Sequence, residues 1–93
     1  MDKYTQRPWH VHETPTQIGV RSDVLTVYGI QKSRKYFPMQ LANAHLISAT
    51  PELLAALRMA VFRNSNGTVM SEHELLICND AIAKALAKHK EQA

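Results

Sequence analysis

The segment QKSRKYF, residues 31–37, holds the densest concentration of chemistry in the chain. Lys32, Arg34 and Lys35 could neutralise phosphates while Tyr36 or Phe37 stacks on a base, the combination used by proteins that bind single-stranded nucleic acid. The same side chains suit an acidic protein surface, where charge steers the encounter and Arg and Tyr anchor it. A third reading needs no partner: a solvated connection whose aromatics tuck into the core. Tyr28, a few residues upstream, joins the set if the sheet that carries it leaves a face open. The candidate partner-binding residues are therefore Lys32, Arg34, Lys35, Tyr36 and Tyr28, with a protein partner placed ahead of nucleic acid.

The histidines offer a weaker possibility. In HVHE, His10 and His12 share one face of a strand, a spacing found in zinc sites. Glu13 points the other way, so a third ligand would have to come from His45, His73 or His89. No C-x-x-C or H-E-x-x-H accompanies the pair, and the expectation is two exposed histidines without a metal. Cys78 falls on an apolar helical stripe, where a thiol is a small inert hydrophobe. Three glycines leave little for a phosphate cradle, and no serine sits in a nucleophile elbow. The eight acidic residues are scattered, not paired for general acid–base work. Neither an enzyme nor a cofactor is expected.

Ninety-three residues suffice for one domain, spanning 1–93, with a single core. Apolar residues make up 45% and charged residues 20%, as in an ordinary soluble protein. Eleven Lys and Arg against eight Asp and Glu give +3, too small an excess to mark a nucleic-acid binder alone. A chain this short buries only roughly 60–65% of its unfolded surface. Cover from a second subunit would matter, so a homodimer is a live expectation. One cysteine permits no internal disulfide, which points to a reducing cytoplasm. The opening MDKYTQRPWH lacks the apolar run of a signal peptide, and no stretch reaches the ~20 apolar residues of a membrane span.

The elements that must position these residues follow from patterning. RPWHVHE, QIGVR and VLTVYGI alternate apolar and polar residues, with turns at Thr14–Thr16 and Ser22–Asp23, predicting three short strands between about 7 and 30. The third is apolar on both faces, Val24, Tyr28 and Ile30 opposing Leu25 and Val27, which predicts a central or doubly covered strand. A basic crossover at 31–37 leads to helices at about 38–49, 51–63 and 72–89. Thr50 is the expected N-cap of the second, followed by Pro51 in the first turn, with Leu53, Leu54 and Leu57 inward. Ser71 and Glu74 form a capping box for the third, whose stripe is Leu75, Cys78, Ile82 and Leu86, and whose last turn carries Lys88, His89 and Lys90. Gly67 is the expected positive-φ residue of the NSNGT loop. The fold class is α+β: a three-stranded antiparallel meander on a C-terminal helical hairpin preceded by a short helix.

The stretch PWHV, the meander, NAHLISATPELLAALRMAV and the closing NDAIAKAL together resemble a group of small phage and prophage accessory proteins. In that group a Trp-containing strand precedes an NA-x-L-I-x-A-x-P-E-L-L-x-A-L helical segment. The resemblance spans Pro8 to Ala87 and is strongest over Asn43–Leu57. It implies a phage or prophage origin and supplies no catalytic residues. Between 21 and 37 the sequence departs from the group, with a longer, basic and aromatic segment in place of a short D-x-x-G-x-x-V-A hairpin. Such an origin makes a non-enzymatic protein that binds and modulates a host protein the leading expectation, an inhibitor of a bacterial defence system (an anti-CRISPR, for example) being one form. The alternatives are a nucleic-acid-binding protein acting through residues 32–37, and a homodimeric structural or assembly protein of the virion. Within the phrase itself, Asn43 is expected to cap the chain where sheet gives way to helix, and Ala42, Ala44, Ser48 and Ala49 to allow close packing.

Overall fold

A computed structural model describes residues 4–87. Three strands, β1 (His10–Glu13), β2 (Gln17–Arg21) and β3 (Thr26–Gln31), precede three helices, α1 (Phe37–Ser48), α2 (Thr50–Ser65) and α3 (Glu72–Ala85). This is the α+β order that the patterning predicts. The sheet is antiparallel in the order β1-β2-β3, with Val11 opposite Val20, Ile18 opposite Ile30 and Val20 opposite Tyr28. Those residues share one face, and α1 lies across it. Ile18 and Val20 of the middle strand are fully buried, forming the core with Trp9 and Ala44. Val11, Val27, Tyr28, Phe37, Leu41 and Ile47 pack around that centre. Trp9 is a core residue, and its indole Nε1 donates to the Thr5 carbonyl at 3.0 Å.

Gly19 is required by close approach. A Cβ there would lie 2.1 Å from the Tyr28 carbonyl oxygen, so the β2–β3 ladder has no room for a side chain at that point.

The third strand departs from expectation in two ways. It starts at Thr26, because Ser22 closes a turn first: its Oγ accepts from the amides of Val24 and Leu25, and its own amide donates to the Leu25 carbonyl. Val24 and Leu25 are thus exposed turn residues, and a register shift at Val20/Arg21 absorbs the extra length. Nor is β3 central. It forms an edge, and α1 packs over β1 and β2, so Ile30 stays exposed while Val27 and Tyr28 reach the core.

Between α1 and α2 the chain barely breaks. Ala49 caps α2 in a helical conformation, and its amide donates to the carbonyls of His45 and Leu46. Thr50 is therefore inside α2 and not its N-cap, its hydroxyl donating back to the Leu46 carbonyl at 3.4 Å. Pro51 fits in the first turn, where an amide would have no helical acceptor. Asn43 does not cap the handover: it sits exposed in the body of α1. Three of the four small residues pack closely as expected, Ala44, Ser48 and Ala49 being buried, whereas Ala42 is exposed.

Helix α3 opens with the predicted capping box. The Ser71 hydroxyl accepts from the Glu74 amide, and the Glu74 carboxylate accepts from the Ser71 amide at 2.9 Å. Gly67 in the preceding loop adopts φ 66°, as predicted. Arg63 of α2 joins the box, its guanidinium donating to both Glu74 oxygens, at 2.7 Å for the shortest contact. At the other end of the hairpin, Lys84 donates to Glu52 at 3.2 Å and to the Trp9 carbonyl at 2.9 Å. Lys88, His89 and Lys90 lie outside the described residues.

The helical hairpin buries only part of the predicted face. Ala56, Ala81 and Ala85 are buried, and Cys78 is half-buried with its Sγ 4.0 Å from the Ala56 carbonyl. Of the residues expected inward, Leu53 and Leu54 are half-buried, whereas Leu57 is 62% exposed, Leu75 46%, Ile82 49% and Leu86 57%. Hydrophobic spacing finds the apolar stripe of a helix, but alanine, which periodicity weighs lightly, decides here which side packs closely.

Candidate functional site

The crossover between β3 and α1 is built by short-range hydrogen bonds. The Lys32 amide donates to the Thr16 carbonyl at 2.8 Å, extending the sheet one residue past Gln31. The Ser33 hydroxyl then accepts from the Tyr36 amide at 3.2 Å. Gln40, in the first turns of α1, fixes the segment from below. Its side-chain oxygen accepts from the Ser33 amide at 2.9 Å, and its amide nitrogen donates to the Gln31 carbonyl at 3.0 Å. One carboxamide thus satisfies two backbone groups that the end of the strand would leave open.

A shallow cleft of about 500 Å³ lies between this crossover and the β1–β2 turn, lined by Glu13, Pro15, Thr16, Lys32, Arg34 and Phe37 among others. Its charge is mixed. The Lys32 ammonium is 2.6 Å from a Glu13 carboxylate oxygen and 5.2 Å from the centre of the Phe37 ring. Lys32 is thus tied between an anion and an aromatic face. Arg34 lines the cleft with no ion pair among the described residues, and Lys35 lies 5.3 Å from the centre of the exposed Tyr36 ring, beside the cleft.

Of the five candidate residues, four come together on this crossover. Tyr28 does not join them. It sits in β3 opposite Val20, half-buried against the core. Glu13, Phe37 and Gln40 were not in the candidate set, although all three shape the site. Glu13 lies nineteen residues from Lys32 and meets it only through the register of the sheet. Gln40 carries no periodic signal.

His10 and His12 stand exposed on β1, and among the described residues no three His, Cys, Asp or Glu side chains assemble as a metal site. Among the described residues, two titrations are displaced from their ordinary values, both at the hairpin. The hydrogen bonds from Arg63, then from the Ser71 amide, hold the Glu74 carboxyl below the usual carboxylate range, and Glu74 in turn raises Arg63.

The α+β domain thus carries a mixed-charge cleft beside exposed Arg34, Lys35 and Tyr36. The family described as Salmonella phage P22 protein Y8K6 matches residues 1–89, and the chain belongs to that family. It is a small phage protein. No curated protein and no solved structure gives a significant match. No helix among the described residues is long and apolar enough to cross a membrane.

Proposed function

We propose that this chain is a non-enzymatic phage accessory protein that binds a host protein in the bacterial cytoplasm and modulates it, with Arg34, Lys35 and Tyr36 at the centre of contact. The observation that carries this reading is Glu13 in the cleft. A polyanion gains from every unpaired cation it meets, and counterion release rewards each neutralised phosphate. Here Lys32 is already matched by a carboxylate, and Glu13 would repel a phosphate placed beside Arg34. A protein surface supplies cations and anions together, and Arg and Tyr are the side chains that anchor such contacts. One form that this reading takes for a phage protein is inhibition of a host defence complex.

The test is affinity capture from bacterial lysate with tagged full-length protein and with the variant R34E/K35E, each with and without nuclease. A stoichiometric host protein that survives nuclease and is lost with the variant is the expected result. Nucleic acid recovered alone, with a steep salt dependence, replaces this reading with nucleic-acid binding by the same segment. A protein partner retained by the variant removes the crossover from the contact.

A further inference from the structure

Gly29 is a glycine that the fold does not require. Among the described glycines Gly67 alone has a positive φ, and a Cβ on Gly29 would meet nothing nearer than the Thr26 methyl at 3.8 Å. The register shift at Val20/Arg21 leaves Gly29 in regular pairing with Gly19. Glycine weakens the interior of a strand, and without a local backbone reason it marks a place where a ligand or another backbone approaches closely.

Gly29 belongs to the face of the sheet turned away from α1, and the register sets three rows of residues on that face. His10 lies opposite Arg21, which lies opposite Thr26; His12 lies opposite Gly19, which lies opposite Gly29; Gln17 lies opposite Gln31. Beyond His12 the middle row has no side chain, so its two glycines floor a trough. A cavity of about 130 Å³ occupies this trough, bounded by His12, by Arg21 and Thr26 at one end, and by Gln17 at the other. The two ends lie about 13 Å apart along β2, at ~3.3 Å per residue.

The charge of the trough is one-sided. Arg21 and His12 line it with no carboxylate among the lining residues, and His10 stands beside Arg21. Among the described residues, the side chains of His10, His12, Gln17, Arg21 and Thr26 have no hydrogen-bond or ion-pair partner. Guanidinium, imidazole and hydroxyl in one row are donors for an anion. The carboxamide at the other end offers a donor and an acceptor together, the pair that Gln presents to the edge of adenine. Between them the bare backbone admits a flat ring, with the His12 imidazole beside it to stack.

We infer that the outer face of the sheet binds a free nucleoside monophosphate, its base on the Gly19–Gly29 floor beside His12, its base edge at Gln17 and its phosphate at Arg21. The cavity is smaller than the roughly 300–1,000 Å³ of sites that enclose drug-sized ligands, which limits it to one ring system. A single cationic row matches one phosphate and gives a nucleic-acid strand no track to follow. The trough shares no lining residue with the cleft at Lys32 and Arg34, so this inference does not rest on the host-binding reading.

Titration calorimetry of the full chain with AMP, adenosine, inorganic phosphate and an oligo(dA) strand tests this, with the Gly19 and Gly29 amides followed by NMR. AMP should bind saturably and shift both amides, and adenosine and phosphate should each bind at least about tenfold more weakly. Arg21→Ala should weaken AMP by about tenfold or more. Gly29→Val, whose branched side chain suits a strand and whose Cβ has room, should do the same at an unchanged urea midpoint. If that variant unfolds, Arg21→Ala and the amide shifts decide. The variant R34E/K35E should bind AMP as the wild type does, whether or not it still captures a host protein. Absence of saturation by AMP overturns the inference, as does phosphate binding equally tightly or oligo(dA) binding more tightly than AMP. AMP binding that folded Gly29→Val leaves intact, or that R34E/K35E abolishes, overturns it as well.

Discussion

The Glu74 carboxylate answers to two partners: it closes the Ser71 capping box and receives the Arg63 guanidinium through both oxygens. The start of α3 is thereby tied to the end of α2 across the loop that joins them. Because the folded state holds this carboxyl below its ordinary value of 4.5, the pair stabilises above the unfolded pKa and loses that contribution as pH falls through the folded one. Thermal unfolding of wild type and E74Q across acidic pH should show a wild-type advantage that is constant near neutrality and shrinks below about pH 4.5. An advantage that grows on acidification would reverse the sign and remove the ion pair from the account.

A second prediction separates a real cap from one that only the sequence suggested. Ser71→Ala should cost about 1 kcal/mol in urea unfolding, the usual loss of an N-cap hydroxyl. Asn43→Ala, on an exposed turn of α1, should stay within about 0.5 kcal/mol of wild type. Equal costs would mean that Asn43 has a structural role that its place in the helix does not provide.

Gly19→Ala should be among the more damaging single-methyl additions in the sheet. The new Cβ meets the Tyr28 carbonyl, which belongs to backbone and cannot swing aside. Overpacking of this kind costs about 1–3 kcal/mol where the surroundings can yield, and more where they cannot. Gly29→Ala is the control, since its nearest atom is the Thr26 methyl at 3.8 Å. Comparable urea midpoints for the two variants would contradict the close approach of β2 and β3.

Gln40→Ala should loosen the crossover more than it destabilises the fold. The Ser33 amide loses its acceptor and the Gln31 carbonyl a donor, so amide exchange at Ser33 should accelerate while global stability falls by about 1 kcal/mol. Unchanged exchange at Ser33 would show that the segment holds its shape without the carboxamide.

Much of the fold is legible in the residues because its signals are local. Pro51 and the Ser71–Glu74 box announce helix starts, and alternation announces strands, without reference to the rest of the chain. The failures share a different cause. Thr50 looks like a cap, yet Ala49 already continues the helix of α1, so the competing geometry lies one residue upstream. Val24 and Leu25 read as strand, but Ser22 takes their amides for a turn. The packing face of α3 depends on which helices approach closely enough to need alanine, a tertiary matter. At the crossover, sequence marks Lys32, Arg34, Lys35 and Tyr36 by composition, while Glu13 joins them only through strand register and Gln40 only through the entry angle of α1.

The Gln40 clamp has a consequence for how such a protein can change. It grips the crossover by backbone groups alone, at Gln31 and Ser33, and takes no part in what stands at 34, 35 and 36. Shape and identity are therefore specified by different residues. Arg34, Lys35 and Tyr36 can be exchanged on an unaltered frame, so, on the proposed host-binding reading, a lineage under pressure from a shifting opponent could retarget the protein at three positions without first having to reinvent its fold.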